Sequence, residues 1–181
     1  MDVEVRRTLR EIMEELDISD PRPGRGSSAE RVTLYRHDEV ASQFRQVSRY
    51  SDNPTWEQMG RGVYPDDEGM IGLGWSEGSV CMVRLSEDRE KWNREMSEEC
   101  GIPREVAENL GMQSRSIVAV RLDNAGDKLG ILVFESLKPQ GIRRDFEQKI
   151  PASAYLPALC RLLSLIGPVR DHGGDRALVG A

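Results

Sequence analysis

With 181 residues, 38% hydrophobic and 31% charged, the chain reads as one globular domain with a polar surface and room for flanking helices. A formal net charge of −6 disfavours nucleic acid as a partner. No window approaches the roughly 18–20 consecutive apolar residues of a membrane span, so no membrane partner is expected.

The first segment, MDVEVRRTLREIMEEL, is amphipathic and lacks the apolar core of a signal peptide, which places the expected location in the cytoplasm. Val5, Leu9, Ile12 and Leu16 form one helical stripe, so residues 1–19 are expected as an N-terminal helix that packs on its own domain or on a second copy. Asp2 can cap its start. Residues 20–29 carry DPRPGRGSS, a breaker-rich linker. Arg22, Arg25, Arg31 and Arg36 make a modest basic stretch, set against the acidic balance of the whole chain.

From Arg31 the pattern turns to strands, at RVTLYR and then FRQVSRYS. NPTW and GRGVYPDDEG read as loop, with Pro54 and Pro65 barring a central strand. Glu68–Glu77 reads as a short, glycine-broken helix, and Ser79–Arg84 as another strand. Ser86 is placed as the N-cap of a helix that carries Trp92 and Met96 on one face. A further helix is expected from Pro103 to Gly111. SRSIVAVRL and KLGILVFES, joined by the five-residue loop DNAGD, predict the central antiparallel pair of the sheet. Ala154–Ile166 predicts an apolar helix, with Pro157 at its start or kinking it, and residues 168–181 read as a disordered tail.

The dense glycines from Gly60 to Leu85 let backbone approach backbone or ligand closely, so this stretch reads as a pocket wall. Gly69, Gly72, Trp75 and Gly78 in the G-x-x-G-x-x-W-x-x-G crossover, the SRSIVAV strand and GILVFES at Gly130–Ser136 together resemble the GAF superfamily over residues 30–167. The resemblance implies an α+β fold of the PAS/GAF type: a central six-stranded antiparallel sheet with flanking N- and C-terminal helices. It also implies helices on one face, a ligand pocket on the other, and dimers built from the terminal helices. The signature of cyclic-nucleotide-binding members and the Cys-His pair of bilin-binding members are not apparent. No output module stands on the chain, so a separate output protein is expected to read it.

The candidate ligand-binding residues are Arg49, Tyr50, Trp56, Arg61, Tyr64, Trp75, Gln113, Arg115 and Glu135. Aromatics beside arginine can stack on a planar ligand and pair with a carboxylate or phosphate. Trp56 and Tyr64 can equally cover a sheet edge, and Trp75 can fill space between glycines. Arg115 offers a planar donor fork, or a surface ion pair with Glu99 or Glu108. Glu135 can accept from a ligand or anchor backbone. The acidic run Pro65–Glu68 lacks calcium-ligand spacing and reads as a solvated turn. No zinc spacing links His37 and His172 to a CxxC pair, so no metal is expected, and no cofactor is identified.

Cys81, Cys100 and Cys160 are too few and too scattered for a disulfide framework. The resemblance supplies one enzymatic alternative, because free methionine-(R)-sulfoxide reductase is built on this fold and uses pocket cysteines. Cys81 and Cys100 could meet in space for such chemistry. The expectation is therefore a non-catalytic sensory domain that binds a small, anionic or aromatic ligand and signals through a helix-mediated homodimer. The alternatives are a dimerisation or protein-interaction scaffold without ligand, and the thiol-dependent reductase.

Overall fold

The computed structural model describes residues 2–18, 29–58 and 60–165. The tail at 168–181 and the linker up to Ser28, with Arg22 and Arg25, lie outside the described residues. The elements in chain order are α1 (Asp2–Glu15), β1 (Glu30–Asp38), β2 (Gln43–Tyr50), α2 (Pro54–Glu57), β3 (Val63–Pro65), α3 (Gly69–Glu77), β4 (Ser79–Val83), α4 (Arg89–Glu98), α5 (Arg104–Glu108), β5 (Ser116–Asn124), β6 (Asp127–Ser136), α6 (Phe146–Lys149) and α7 (Leu156–Leu165).

All six strands pair antiparallel in one sheet, in the order β3-β2-β1-β6-β5-β4. The inner two strands are β1 and β6, so the expected β5–β6 pair sits one step off centre. The loop between β5 and β6 is shorter than expected. Asn124 pairs with Asp127, leaving a two-residue turn of Ala125 (φ 53°) and Gly126 (φ 94°). Positive φ at both positions matches the twist of a tight hairpin. Pro65 ends a three-residue edge strand, where a missing N–H costs the sheet nothing.

Helices cover both faces, where the resemblance implied one. On the first face Val5, Leu9 and Ile12 of α1 join Leu132 and Phe134 of β6, Phe146 of α6, and Leu159 and Leu163 of α7. The α1 stripe therefore packs on its own chain, with Leu9 wholly buried. α1 ends before the linker, at Asp17 (φ 53°), where the Ile18 N–H donates to the Met13 carbonyl at 3.0 Å. Asp2 is already helical, and its carboxylate accepts from the Ser48 hydroxyl of β2.

On the second face Met70 and Ile71 of α3, and Trp92 and Met96 of α4, pack over Ile131 and Val133. The crossover glycines have a steric purpose there. A Cβ on Gly74 would fall 2.8 Å from the Ala119 Cβ, and one on Gly72 would fall 2.5 Å from the Asp67 carbonyl carbon. The caps of the next two helices differ from expectation. Asp88, not Ser86, caps α4 by accepting from the Lys91 N–H at 2.8 Å. Pro103 precedes α5 as its N-cap, and α5 closes at Asn109 before Gly111. Among the described residues, no helix is long and apolar enough to cross a membrane.

Because α1 belongs to the core, Leu9→Ala should destabilise the fold by about 2–5 kcal/mol. Urea unfolding followed by circular dichroism measures this. A midpoint unchanged from that of the parent protein would place α1 outside the cooperative unit.

Candidate ligand-binding site

Strand alternation decides which side chains reach the second face. In β1 these are Arg31, Thr33 and Tyr35, while Val32 and Leu34 join the opposite core. The pairing register sets Arg31 opposite Glu135 on β6, and Thr33 opposite both Val133 on β6 and Arg49 on β2. The result is a polar floor on the inner strands.

Over this floor lies a cavity of 720 Å³. Its walls include Met70 and Ile71 of α3, Trp92 and Met96 of α4, and Ile102, Val106 and Leu110 around α5; Trp56, Gln58, Gly60, Arg61 and Tyr64 close the remaining side. Arg89 pins α5 in place by donating to the carbonyls of Ala107, Glu108 and Leu110 at 2.9–3.1 Å. Trp92 is fixed by its indole N–H, which donates to the Ser114 carbonyl at 2.7 Å.

The floor is a connected network. Arg31 Nε donates to Glu135 Oε2 at 2.6 Å, and the Ser114 hydroxyl donates to Glu135 Oε1 at 2.9 Å. Burial works to raise the Glu135 pKa, but the charge and hydrogen bond of Arg31, the charge of Arg49 and the Ser114 hydroxyl outweigh it and hold the carboxyl below its ordinary value. Arg49, only 6% exposed, donates from Nε to the Thr33 hydroxyl at 2.9 Å and from Nη1 to the Gln58 carbonyl at 2.5 Å. Tyr35 and Tyr64 meet edge to face, with ring centroids 5.3 Å apart. Arg61 pairs with Glu68 and lies over the Tyr64 ring.

Five of the nine residues singled out from sequence therefore line one cavity: Arg49, Trp56, Arg61, Tyr64 and Glu135. The other four lie elsewhere. Tyr50 follows Arg49 directly and so points to the α1 face, where its hydroxyl donates to Asp52 and Arg6 covers its ring. Trp75 packs on His37 and Phe44, at centroid distances of 4.5 and 5.2 Å, with Lys128 over its ring. Gln113 donates to the carbonyls of Ser86 and Glu87. Arg115 binds the Leu85 carbonyl and pairs with Glu87, rather than with Glu99 or Glu108. In the acidic run, Asp66 meets His37 at 3.0 Å and Glu68 holds Arg61, so it is more than a solvated turn.

Arg31, Tyr35, Trp92 and Ser114 were not singled out as site residues, although all four line the cavity. The available signal was the alternation of Arg31, Thr33 and Tyr35, a strand face without an aliphatic residue. Such a face ordinarily reads as solvent-exposed.

The thiols are separated. Cys81, near α6, belongs to the core on the α1 face, and Cys100 to the core on the cavity side. None of the three cysteines lines the cavity, and all three are free and buried. Burial, with nearby carboxylates, pushes the Cys81 thiol up to about 11 and the Cys100 thiol up to about 12. Among the described residues, no group of three or more His, Cys, Asp and Glu side chains could hold a metal ion.

Two outcomes follow. Glu135→Gln should destabilise the fold by about 3 kcal/mol near neutral pH, because it strands Arg31. The folded-state pKa of Glu135 lies below the ordinary value of 4.5, so the pair's contribution is fully present above that value and is lost as pH falls below it. The stability gap between parent and variant should then narrow as pH falls below about 4.5, as urea midpoints at successive pH values would record. Second, iodoacetamide should label Cys81 and Cys100 at least about tenfold more slowly in the folded protein than in urea at pH 8.

No protein-family profile matches the sequence, and no curated protein matches it. Solved structures do share its architecture. A GAF domain region of a membrane protein from Geobacter sulfurreducens aligns at TM-score 0.56 and 12% identity, covering 91% of this chain and 93% of that one. The GAF domain of an Acinetobacter phosphoenolpyruvate-protein phosphotransferase aligns at TM-score 0.51 and 19% identity, covering 94% and 99%. A type II free methionine-R-sulfoxide reductase from Thermoplasma acidophilum aligns at TM-score 0.55 and 11% identity, covering 90% and 93%. This chain has a GAF-like α+β fold.

Proposed function

We propose that the protein is a non-catalytic sensory or regulatory domain that holds a small molecule with a planar, apolar body between its sheet and helices α3–α5. The observation that carries this reading is the 720 Å³ cavity, which combines aromatic and aliphatic walls with a few buried polar groups on rigid strands. That combination of size and lining is characteristic of small-molecule sites. The similarity to GAF domains from signalling proteins, among them a two-component sensor histidine kinase from Bacillus halodurans, supports the same class of work.

The ligand's occupancy would be passed to a separate output protein or to a second copy of the chain. A helix-mediated dimer in this reading uses the ends of the terminal helices, where Val3 and Leu165 are 81% and 74% exposed. Leu9 and Leu163 are already engaged in the chain's own core.

Two reductases among the fold neighbours keep the catalytic reading as the second one. That reading requires a thiolate at the cavity and a second thiol in reach. The burial of Cys81 and Cys100 on opposite faces of the sheet counts against both requirements.

The test is native mass spectrometry of freshly purified protein and of Val133→Trp, which fills the cavity from the floor. The expected result is a stoichiometric compound on the parent protein that is absent from a folded Val133→Trp. Retention of the compound by that variant would move the site elsewhere, and a bare parent dimer would favour the scaffold. Methionine sulfoxide turnover that disappears in Cys100→Ser would favour the enzyme.

A further inference from the structure

We propose that the cavity takes an aromatic monoanion, with its charged group seated on Arg49 in place of the Gln58 carbonyl. This rests on the reading of the cavity as a ligand site, and it assigns that ligand a charge, an anchor and an effect on the chain.

The charge follows from the floor's own pairing. Arg31 and Glu135 neutralise one another, and both oxygens of Glu135 are engaged, by Arg31 and by Ser114. Arg49 is buried to a similar depth, yet its partners are a hydroxyl and a backbone carbonyl, both uncharged. Among the described residues, no carboxylate lies within ion-pair distance of it. Tyr35 cannot serve as counter-ion, because burial raises its phenol pKa and keeps it protonated. At the rim, Arg61 and Glu68 cancel, and Glu105 is exposed to solvent. One uncompensated positive charge therefore remains on the floor. A buried cation without a counter-charge is costly, and a single anion removes that cost.

The anchor follows from what covers Arg49. Gln58 and Gly60 both lie against the guanidinium: Nη1 donates to the Gln58 carbonyl, and a Cβ on Gly60 would lie 3.6 Å from both Nη1 and Nη2. The Gln58 carbonyl gives the hydrogen bond that ties this segment to the floor. An anionic acceptor can take two parallel N–H···O bonds from a guanidinium and cancels its charge, which a single neutral carbonyl does not. Tyr35, Tyr64, Trp56 and Trp92 surround the remaining space with rings, which suits an aromatic body rather than a bare inorganic ion.

The effect on the chain follows from where the same segment is tied outside the cavity. Asn53 caps α2, and Glu57 at its end pairs with Arg6 of α1. An anion that displaces the Gln58 carbonyl thus acts on α2, a short helix that links the cavity to the N-terminal helix.

The test is isothermal titration of the full chain with three probes that share a ring and differ in charge: indole-3-acetate, indole-3-acetamide and tryptamine. The proposal expects indole-3-acetate to bind at least about tenfold more tightly than the amide, and tryptamine to bind weakest. In Arg49→Gln, shown to be folded by circular dichroism, the gap between acid and amide should close. Indoxyl sulfate places one charge on a tetrahedral group. Affinity equal to that of the acetate supports a site open to any monoanion, and weaker binding supports a carboxylate site.

Equal binding of acid and amide by the parent protein, or a preference for tryptamine, would overturn the charge assignment and leave the cavity reading intact. This comparison needs no variant, so it stands even where Arg49→Gln does not fold. A folded Arg49→Gln that keeps the gap would overturn the anchor. Binding of none of the four probes would overturn both the class and the cavity reading.

Discussion

The ion pair between Arg31 and Glu135 is the constraint on which the site depends. It joins the two innermost strands on the face that the cavity occupies, directly across the β1–β6 register. Two charges so placed are stable only as a pair, and only with their remaining hydrogen-bonding capacity met. Ser114 meets part of it, and its own carbonyl holds Trp92 of α4. The pair thereby fixes the floor, the start of β5 and one wall together.

Around that floor the structure divides into rigid and lightly held parts. Gly72 and Gly74 bring α3 hard against its neighbours, and Arg89 ties α5 to α4. By contrast, the described residues between Asn53 and Gly62 include one four-residue helix without a buried residue and half-buried Trp56, tied to the sheet through the Gln58 and Gly62 carbonyls. Segments with few buried apolar contacts sit at the low end of local stability, and ligand-binding loops are drawn from that end. A fixed floor beneath a more exposed cover is the physical basis of the proposed ligand site.

Much of the architecture was legible in the sequence because its signals were periodic. The α1 stripe, the β5 and β6 runs and the glycine crossover each fell where the structure has them, within a few residues. Caps and turns read less well, because several residue types at neighbouring positions could play the same part, as with Ser86 and Asp88. The site was legible only in part. Arg49 and Tyr50 both carry ligand-binding chemistry in the sequence, yet as adjacent strand residues they face opposite sides. Gln113 and Arg115 offer the more conspicuous polar side chains, but Ser114, between them, reaches the cavity. Arg31 reads as one member of a surface basic stretch until the register of β1 with β6 is known. The alternation within one strand sets which side chains face the core, but not which residue of a strand far away in the chain stands opposite.

The most direct measurement is the arginine Nε–Hε region of the ¹⁵N nuclear magnetic resonance spectrum, recorded with and without indole-3-acetate. Arg31 and Arg49 should both give protected, slowly exchanging signals, since each Nε–H is buried in a hydrogen bond. On addition of the acid, the Arg49 signal should shift strongly while the Arg31 signal moves little. A strong shift confined to arginines outside the cavity, such as Arg115 or Arg121, or rapid exchange at both floor arginines, would contradict a preformed floor with Arg49 as its open charge.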